Sequence, residues 1–446
     1  MAASDVNTFA EHDVHAGAPA ATPRVPKRIA TVLVNSLKGG VVPRIGLPYI
    51  TVGREVEIQA LLHDLHLIAD GGASFRFLVG RYGAGKSFLL QTIRTHAMGE
   101  NFVVADADLS PERRLQGGQG QGLATYRELI RNLSTKTRPE GGALRLILDR
   151  WAASLSDLTA PDAIEQLEPL RDMVHGFDFV DMVSRYHAAS RNGDTATMEL
   201  IIKWMRGEYR TKTEARRELA CSEIIDDDNW YDYVKLLARF LVGAGYKGML
   251  VLIDELVNLY KIPNAITRQY NYEKILTMYN DTLQGKAHHL GIIMGGTPTS
   301  IEDRRRGVFS YEALRSRLTQ GRFAQENVRD MLAPIIHLQP LTHEELLVLI
   351  EKLAQIHAGY FEYQPTITED DLVLFLQVEL GRVGASSHLT PREVIRDFIE
   401  LLDIACQYPD IDIRALIERV GGEASGAVSR PTAGAGETAP YAEFTI

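Results

Sequence analysis

Gly80-Arg81-Tyr82-Gly83-Ala84-Gly85-Lys86-Ser87 fits the pattern G-x-x-x-x-G-K-[ST] at every fixed position, and those residue types at that spacing make a loop whose backbone N–H groups cradle phosphates. Lys86 is placed to reach the β- and γ-phosphates of a nucleoside triphosphate, and Ser87 to ligate Mg²⁺. Far downstream, Met249-Leu250-Val251-Leu252-Ile253-Asp254-Glu255 is an apolar run that ends in adjacent acids. A buried strand alone gives no reason for two consecutive carboxylates at its end. Phosphate chemistry does: Asp254 would hold the hydrated Mg²⁺ that Ser87 also ligates, and Glu255 would polarise the water that attacks the γ-phosphorus. The two motifs imply ATP and Mg²⁺ as cofactors and ATP hydrolysis as the reaction.

These residues need elements to hold them. Phe75 to Val79 reads as a strand before the loop, and Phe88, Leu89, Leu90 and Ile93 recur at helical spacing after it, so the positive end of a helix faces the same anion. Phe102 to Asp108 reads as a second buried strand, followed by a glycine-rich loop at Gly117 to Gly122 that is expected to be flexible surface, with Arg113 and Arg114 beside it. Asp254 follows Ser87 by 167 residues, whereas two strand-helix units need only about 60. The surplus falls in 142–246, helical by pattern and expected to be an insertion that the phosphate site does not need. The basic run Arg206, Arg210, Lys212, Arg216 and Arg217 within it is read as a solvated face, with nucleic acid or an acidic partner as the alternative. Leu290 to Thr299 reads as the next strand and its turn, and Ile335 to Thr342 as the last. Helices over about Glu344 to His357, Glu369 to Leu380 and Thr390 to Ile404 make a helical lid. The expected organisation is a disordered leader (1–28), an α/β core in two parts (29–141 and 247–340), the insertion (142–246), the lid (341–420) and a disordered tail (421–446).

Composition narrows the partners. A net charge of −10 over 446 residues argues against coating nucleic acid by bulk electrostatics, so any DNA contact must be local. Cys221 and Cys406 are the two cysteines, far apart and without metal-ligand spacing, which points to a reducing cytoplasm. No signal peptide opens the sequence and no apolar run of about 18 residues spans a bilayer.

The segment Gly53-Arg54-Glu55-Val56-Glu57 resembles the box that precedes the phosphate loop in AAA+ ATPases of the origin-recognition initiator type and in STAND ATPases, where it borders the adenine; this adds Gly53 and Arg54 to the expected nucleotide contacts. Thr297, with Thr299 in reserve, stands where AAA+ proteins carry the first sensor that helps place the water; the alternative is a Thr that caps a turn before Pro298. Leu314-Arg315-Ser316-Arg317-Leu318 resembles the arginine-finger box, with Arg317 preferred over Arg315 as the finger acting on a neighbouring subunit's ATP, and surface ion pairs as the alternative. Thr390-Pro391-Arg392-Glu393 starts a helix, and Arg392 in its first turn is unfavourable to the helix dipole; the resemblance makes it a second sensor on the γ-phosphate of its own subunit. Together, over about residues 30 to 420, these segments and Tyr279-Asn280-Asp281 resemble the ATP-binding proteins of BREX and similar phage-defence operons.

That resemblance implies an α/β fold, an AAA+-like P-loop NTPase with a parallel sheet, and a nucleotide-driven switch or motor in anti-phage defence. It also implies a homo-oligomer beside a helicase-like or other defence-operon protein. The rivals are a DNA-acting motor or loader and a STAND-like switch with little turnover. The initiators carry a winged-helix domain after the lid, and the glycine- and alanine-rich tail expected here puts intrinsic sequence-specific DNA binding in doubt. Lys86→Ala removes the one cation of the loop able to reach the β- and γ-phosphates, so titration with ATP is expected to show binding lost or greatly weakened; unchanged affinity would sink the assignment of the loop.

Overall fold

The computed structural model describes residues 25–155, 167–319, 321, 329–381 and 390–426; most of the expected leader and tail lies outside them. The described residues begin with α1 (Lys27–Lys38), α2 (Leu47–Ile50) and α3 (Glu55–Ala69), then β1 (Ala73–Val79), α4 (Lys86–Gly99) and β2 (Val103–Asp108). A run of helices follows: α5 (Gln121–Arg131), α6 (Leu144–Ser154), α7 (Glu168–Arg171), α8 (Gly176–Asn192), α9 (Thr195–Met205), α10 (Lys212–Leu219) and α11 (Trp230–Gly243). Next come β3 (Met249–Asp254), α12 (Val257–Tyr260), α13 (Ala265–Leu283), β4 (Leu290–Gly296), α14 (Pro298–Glu302), α15 (Glu312–Leu318) and β5 (Ile335–His337). The last helices are α16 (His343–Phe361), α17 (Glu369–Gly381), α18 (Pro391–Gln407) and α19 (Ile413–Gly426).

The strands form one parallel sheet in the order β2-β3-β4-β1-β5. Its strands are apolar on both sides because both faces are covered, the usual condition of a parallel sheet. Leu78, Val104, Leu250, Leu252 and Ile293 face α3 and α4. Their neighbours Phe77, Val79, Val103, Val251 and Met294 face the other way, into one cluster with Trp151, Trp204, Trp230 and much of α5 to α11. The helices of 142–246 therefore share a core with the sheet, and removing them would uncover that face; the excess length that marks them in sequence says nothing about what they cover. The chain leaves β1 towards one side of the sheet and leaves β4 towards the other. Open α/β sheets bind ligands at the C-terminal ends of strands where connections diverge in this way, and the glycine-rich segment Gly80 to Gly85 leaves β1 at that place.

A second core joins the two ends of the described chain. Ala30, Leu33, Val34 and Leu37 of α1 pack with Leu349, Leu353, Val394, Phe398 and Ile417 from the C-terminal helices. Residues 29 to 38 thus pack with the C-terminal helices. At the other end α19 runs on to Gly426, past the boundary expected at 421, because Ile413 and Ile417 anchor it and Gly421 lies against Val378 of α17. The glycine-rich loop before α5 is tied down, since Asp227 accepts from the Gly120 and Leu123 N–H groups at 2.7 Å each. In the basic run, Lys212 and Arg217 form surface ion pairs with Glu223 and Glu218. No helix among the described residues is long and apolar enough to cross a membrane.

β1 is fixed by a buried ion pair. Arg76 Nε donates to Asp64 Oδ2 at 2.6 Å and Nη2 to Oδ1 at 2.7 Å, with Ser74 Oγ adding a bond at 2.9 Å. The same guanidinium donates to the carbonyls of Leu332 and Ala333 at 2.6 Å, just ahead of β5. Asp64→Ala leaves that charge buried and unpaired, which costs about 3–5 kcal/mol. Urea unfolding of the variant is expected to show a loss of that order, and a loss below about 1 kcal/mol would mean that the pair does not hold the strand.

Candidate nucleotide site

The loop between β1 and α4 is held at both ends. Gly80 N–H donates to the Gly296 carbonyl at 3.1 Å, which ties it to the end of β4. Gly83 (φ 75°) and Gly85 (φ 94°) take left-handed conformations, which let the chain turn its N–H groups inward ahead of the α4 N-terminus. Lys86 Nζ donates to the carbonyls of Gly80 and Arg81 at 3.0 Å each and lies 5.4 Å from the centre of the Tyr82 ring. Burial holds the Lys86 ammonium below its ordinary pKa; Asp254 and Glu255 oppose the shift and Arg392 adds to it. Arg392, far away in sequence, is thus within electrostatic reach of the loop lysine.

Ser87 Oγ donates to Asp254 Oδ2 at 2.9 Å, and Asp254 Oδ1 accepts from the Glu255 N–H at 2.8 Å. Hydroxyl and carboxylate oxygens at this spacing fit Mg²⁺, a hard ion usually held by one or two carboxylates together with water and substrate phosphates. A larger protein-only cage is absent, since no group of three or more His, Cys, Asp or Glu among the described residues is arranged for a metal. Glu255 itself has φ 63°, a strained conformation for a non-glycine residue and the kind found at functional sites. Gly295 of β4 makes room for the acid beside it: a Cβ there would stand 2.2 Å from Asp254 Oδ1.

Asp108 is the residue that the sequence reading missed. It ends β2 in register with Asp254, and its carboxyl is held above the usual range by the surrounding protein and then by the charges of Asp254, Asp106 and Glu255. An acid closing an apolar strand was the available signal, but only strand pairing puts it beside the other acids.

A cavity of about 280 Å³ opens over the loop. Its walls come from the loop (Tyr82 to Ser87), from the segment after α1 (Val41, Val42, Pro43), from Ile50 and Val52, and from Leu341, Leu349 and Ile395 of the C-terminal part; Arg54, Glu255 and Arg392 also line it. Apolar walls with a few polar groups at one end suit a nucleotide base and its phosphates. The start of α18 abuts the loop, since a Cβ on Gly83 would meet Thr390 Oγ1 at 2.5 Å. Gly80, Arg81 and Asp254 adjoin the wall without lining it, and Gly53 sits just before α3 against the Glu345 carboxylate.

The remaining candidates lie apart from this cavity. Thr297 is buried and caps α14, its Oγ1 accepting from the Ser300 N–H at 3.2 Å, while Thr299 is exposed. The capping role left open for Thr297 is therefore present. Arg315 and Arg317 stand on α15 outside the cavity: Arg315 is 3.5 Å from Glu312, and exposed Arg317 donates to the Ala313 carbonyl at 2.8 Å.

Residues 25–420 match the family model for the BREX system ATP-binding protein BrxC/D. No curated protein matches the chain. The matched span contains the loop, both acids of β3 and the C-terminal helices that close the cavity.

Gly295→Ala would drive a methyl group into the Asp254 carboxylate and swing it away from Ser87. Displacing a group that orients a metal ligand costs about tenfold to a hundredfold in metal affinity. Magnesium titrations of nucleotide binding are expected to shift by that factor while circular dichroism stays unchanged; an unshifted titration would show that Asp254 tolerates the crowding.

Proposed function

The chain belongs to the BREX system ATP-binding protein family, a membership that implies a role in BREX phage defence, and from that premise we propose that it is an AAA+-like ATPase working there as a nucleotide-driven switch or motor. The observation that carries the proposal is the 2.9 Å hydrogen bond from Ser87 to Asp254, two residues distant in sequence that meet at the mouth of a cavity lined by Lys86 and Glu255.

In this mechanism the loop N–H groups and the α4 N-terminus bind the phosphates, and Lys86 leaves its two carbonyls to reach the β- and γ-oxygens. Ser87 and Asp254 are the residues that would hold Mg²⁺, where the ion supplies charge neutralisation. Glu255 accepts a proton from the water that attacks the γ-phosphorus, and ADP leaves. Thr297 keeps an O–H free of its capping role to orient that water. Arg392 touches the γ-phosphate from the lid side, which its position on the cavity wall supports. The lid is 341–420 together with α1, and the core is built from the sheet-bearing parts of 29–141 and 247–340, with 142–246 as a helical elaboration of it.

Arg317, with Arg315 in reserve, acts in trans on a neighbouring subunit's ATP; their place outside the chain's own cavity supports this. A trans finger requires head-to-tail assembly, as a ring or a spiral, and guanidinium suits the task because it is permanently charged and forks onto two phosphate oxygens. The partners are a second copy of the chain and a helicase-like or other defence-operon protein in the cytoplasm, with any DNA contact local. ATPase stimulated by DNA would favour a motor, and stimulation only by a partner protein a switch.

Glu255→Gln is expected to bind ATP with its turnover reduced about 10²-fold or more, and Arg317→Ala to be inactive alone. Mixing the two should restore some hydrolysis, because mixed assemblies contain interfaces with an intact acid on one side and an intact arginine on the other. Normal hydrolysis by Arg317→Ala as a purified monomer would remove both the trans finger and the assembly.

A further inference from the structure

We propose that Arg54 is a positioning residue that ties the phosphate loop to the connector between the sheet and the C-terminal helices, so that nucleotide loading and the placing of those helices are one event. The proposal rests on the cavity being an ATP site.

Arg54 is 5% exposed, and its fork holds two carbonyls at once: Nη2 donates to Ala84 O at 3.1 Å and Nη1 to Gln339 O at 2.9 Å. Ala84 lies inside the loop; Gln339 lies in the connector from β5 to α16. A peptide unit is planar and trans, so its C=O and N–H point in opposite directions. Holding the Ala84 oxygen on the Arg54 side therefore fixes the direction of the Gly85 N–H, a donor of the loop, away from Arg54. The guanidinium thus holds the loop through one nitrogen and the connector through another.

The far side of the contact is equally built. Glu57, 2% exposed, stands 3.9 Å from Arg54 Nη1 and accepts from Arg329 at 2.7 Å, and Arg329 also donates to the His337 carbonyl of β5 at 3.0 Å. Glu345, in the first turn of α16, packs on Gly53 and accepts from the Thr342 N–H at 2.7 Å. Lys352 of the same helix donates to the Thr51 carbonyl at 3.0 Å. The segment from Thr51 to Arg54 thus grips α16 at two places while its arginine grips the loop. The fork reaches two separate carbonyls with two nitrogens, whereas a lysine ammonium has to serve both from a single point.

The test uses the full chain, with ATP and Mg²⁺ as probe and Lys86→Ala as the control without binding. In the wild type, ATP is expected to raise hydrogen-exchange protection both in the loop and across residues 339–346. In Arg54→Lys, ATP affinity is expected to fall about tenfold, and the 339–346 response to vanish while loop protection persists at saturating ATP. An Arg54→Lys protein that matches the wild type in both readouts overturns the proposal. Should that variant fail to fold, the wild-type exchange decides: protection confined to the loop overturns the proposal and leaves the ATP site standing, whereas a wild type that takes no ATP overturns the site itself.

Discussion

Parallel alignment of β1, β4 and β3 is the constraint on which the rest of the structure depends. Parallel strands end on the same side, so the phosphate loop after β1, the turn after β4 and the acids ending β3 emerge at one edge of the sheet. The spacing is then set by the sheet itself, since neighbouring strands lie about 4.8 Å apart. β4 separates the loop strand from the acid strand, and it can do so only with small residues at its end: Gly295 leaves space for the Asp254 carboxylate, and the Gly296 carbonyl receives the first N–H of the loop. The loop and the acids are therefore registered by main-chain geometry, with side chains filling positions the backbone has already defined.

Much of this was legible in the sequence, and what was not has a common cause. The loop, the acid pair and the strands carrying them are local signals, because each is a run of residue types at short spacing. Asp108 was missed because its place beside the other acids comes from register with β3 and not from its own neighbours. The box at Gly53 and Arg54 was recognised by resemblance, yet the guanidinium's partners lie 30 and 285 residues away, beyond what spacing can express. The helices of 142–246 were visible as helices, but their length suggested something appended, where burial of Trp151, Trp204 and Trp230 in the sheet's own cluster makes them part of the main core.

The cavity sits where the two cores meet. Sheet and loop belong to one, while α1 and the C-terminal helices belong to the other; Phe88 of α4 packs against the second core, and polar groups bridge the contact as well: Arg54 on two carbonyls, Lys352 on the Thr51 carbonyl, Thr390 against Gly83. Within the second core, buried His357 bridges Tyr363 and Asp403, and Asp403 also pairs with Lys38 at the end of α1. The bonds that keep α1 on the C-terminal helices thus lie one short segment away from the apolar wall of the cavity.

The packing of α1 with helices from the opposite end of the chain also sets a schedule for synthesis. A ribosome releases the first wall of the cavity, Val41 to Pro43, and the phosphate loop early, but Leu341, Leu349, Arg392 and Ile395 emerge only after the whole sheet. At ordinary elongation rates the interval is roughly tens of seconds, during which the apolar stripe of α1 has no partner and the loop has no roof. The order of synthesis therefore leaves the apolar stripe of α1 uncovered until the C-terminal helices that it packs against have emerged.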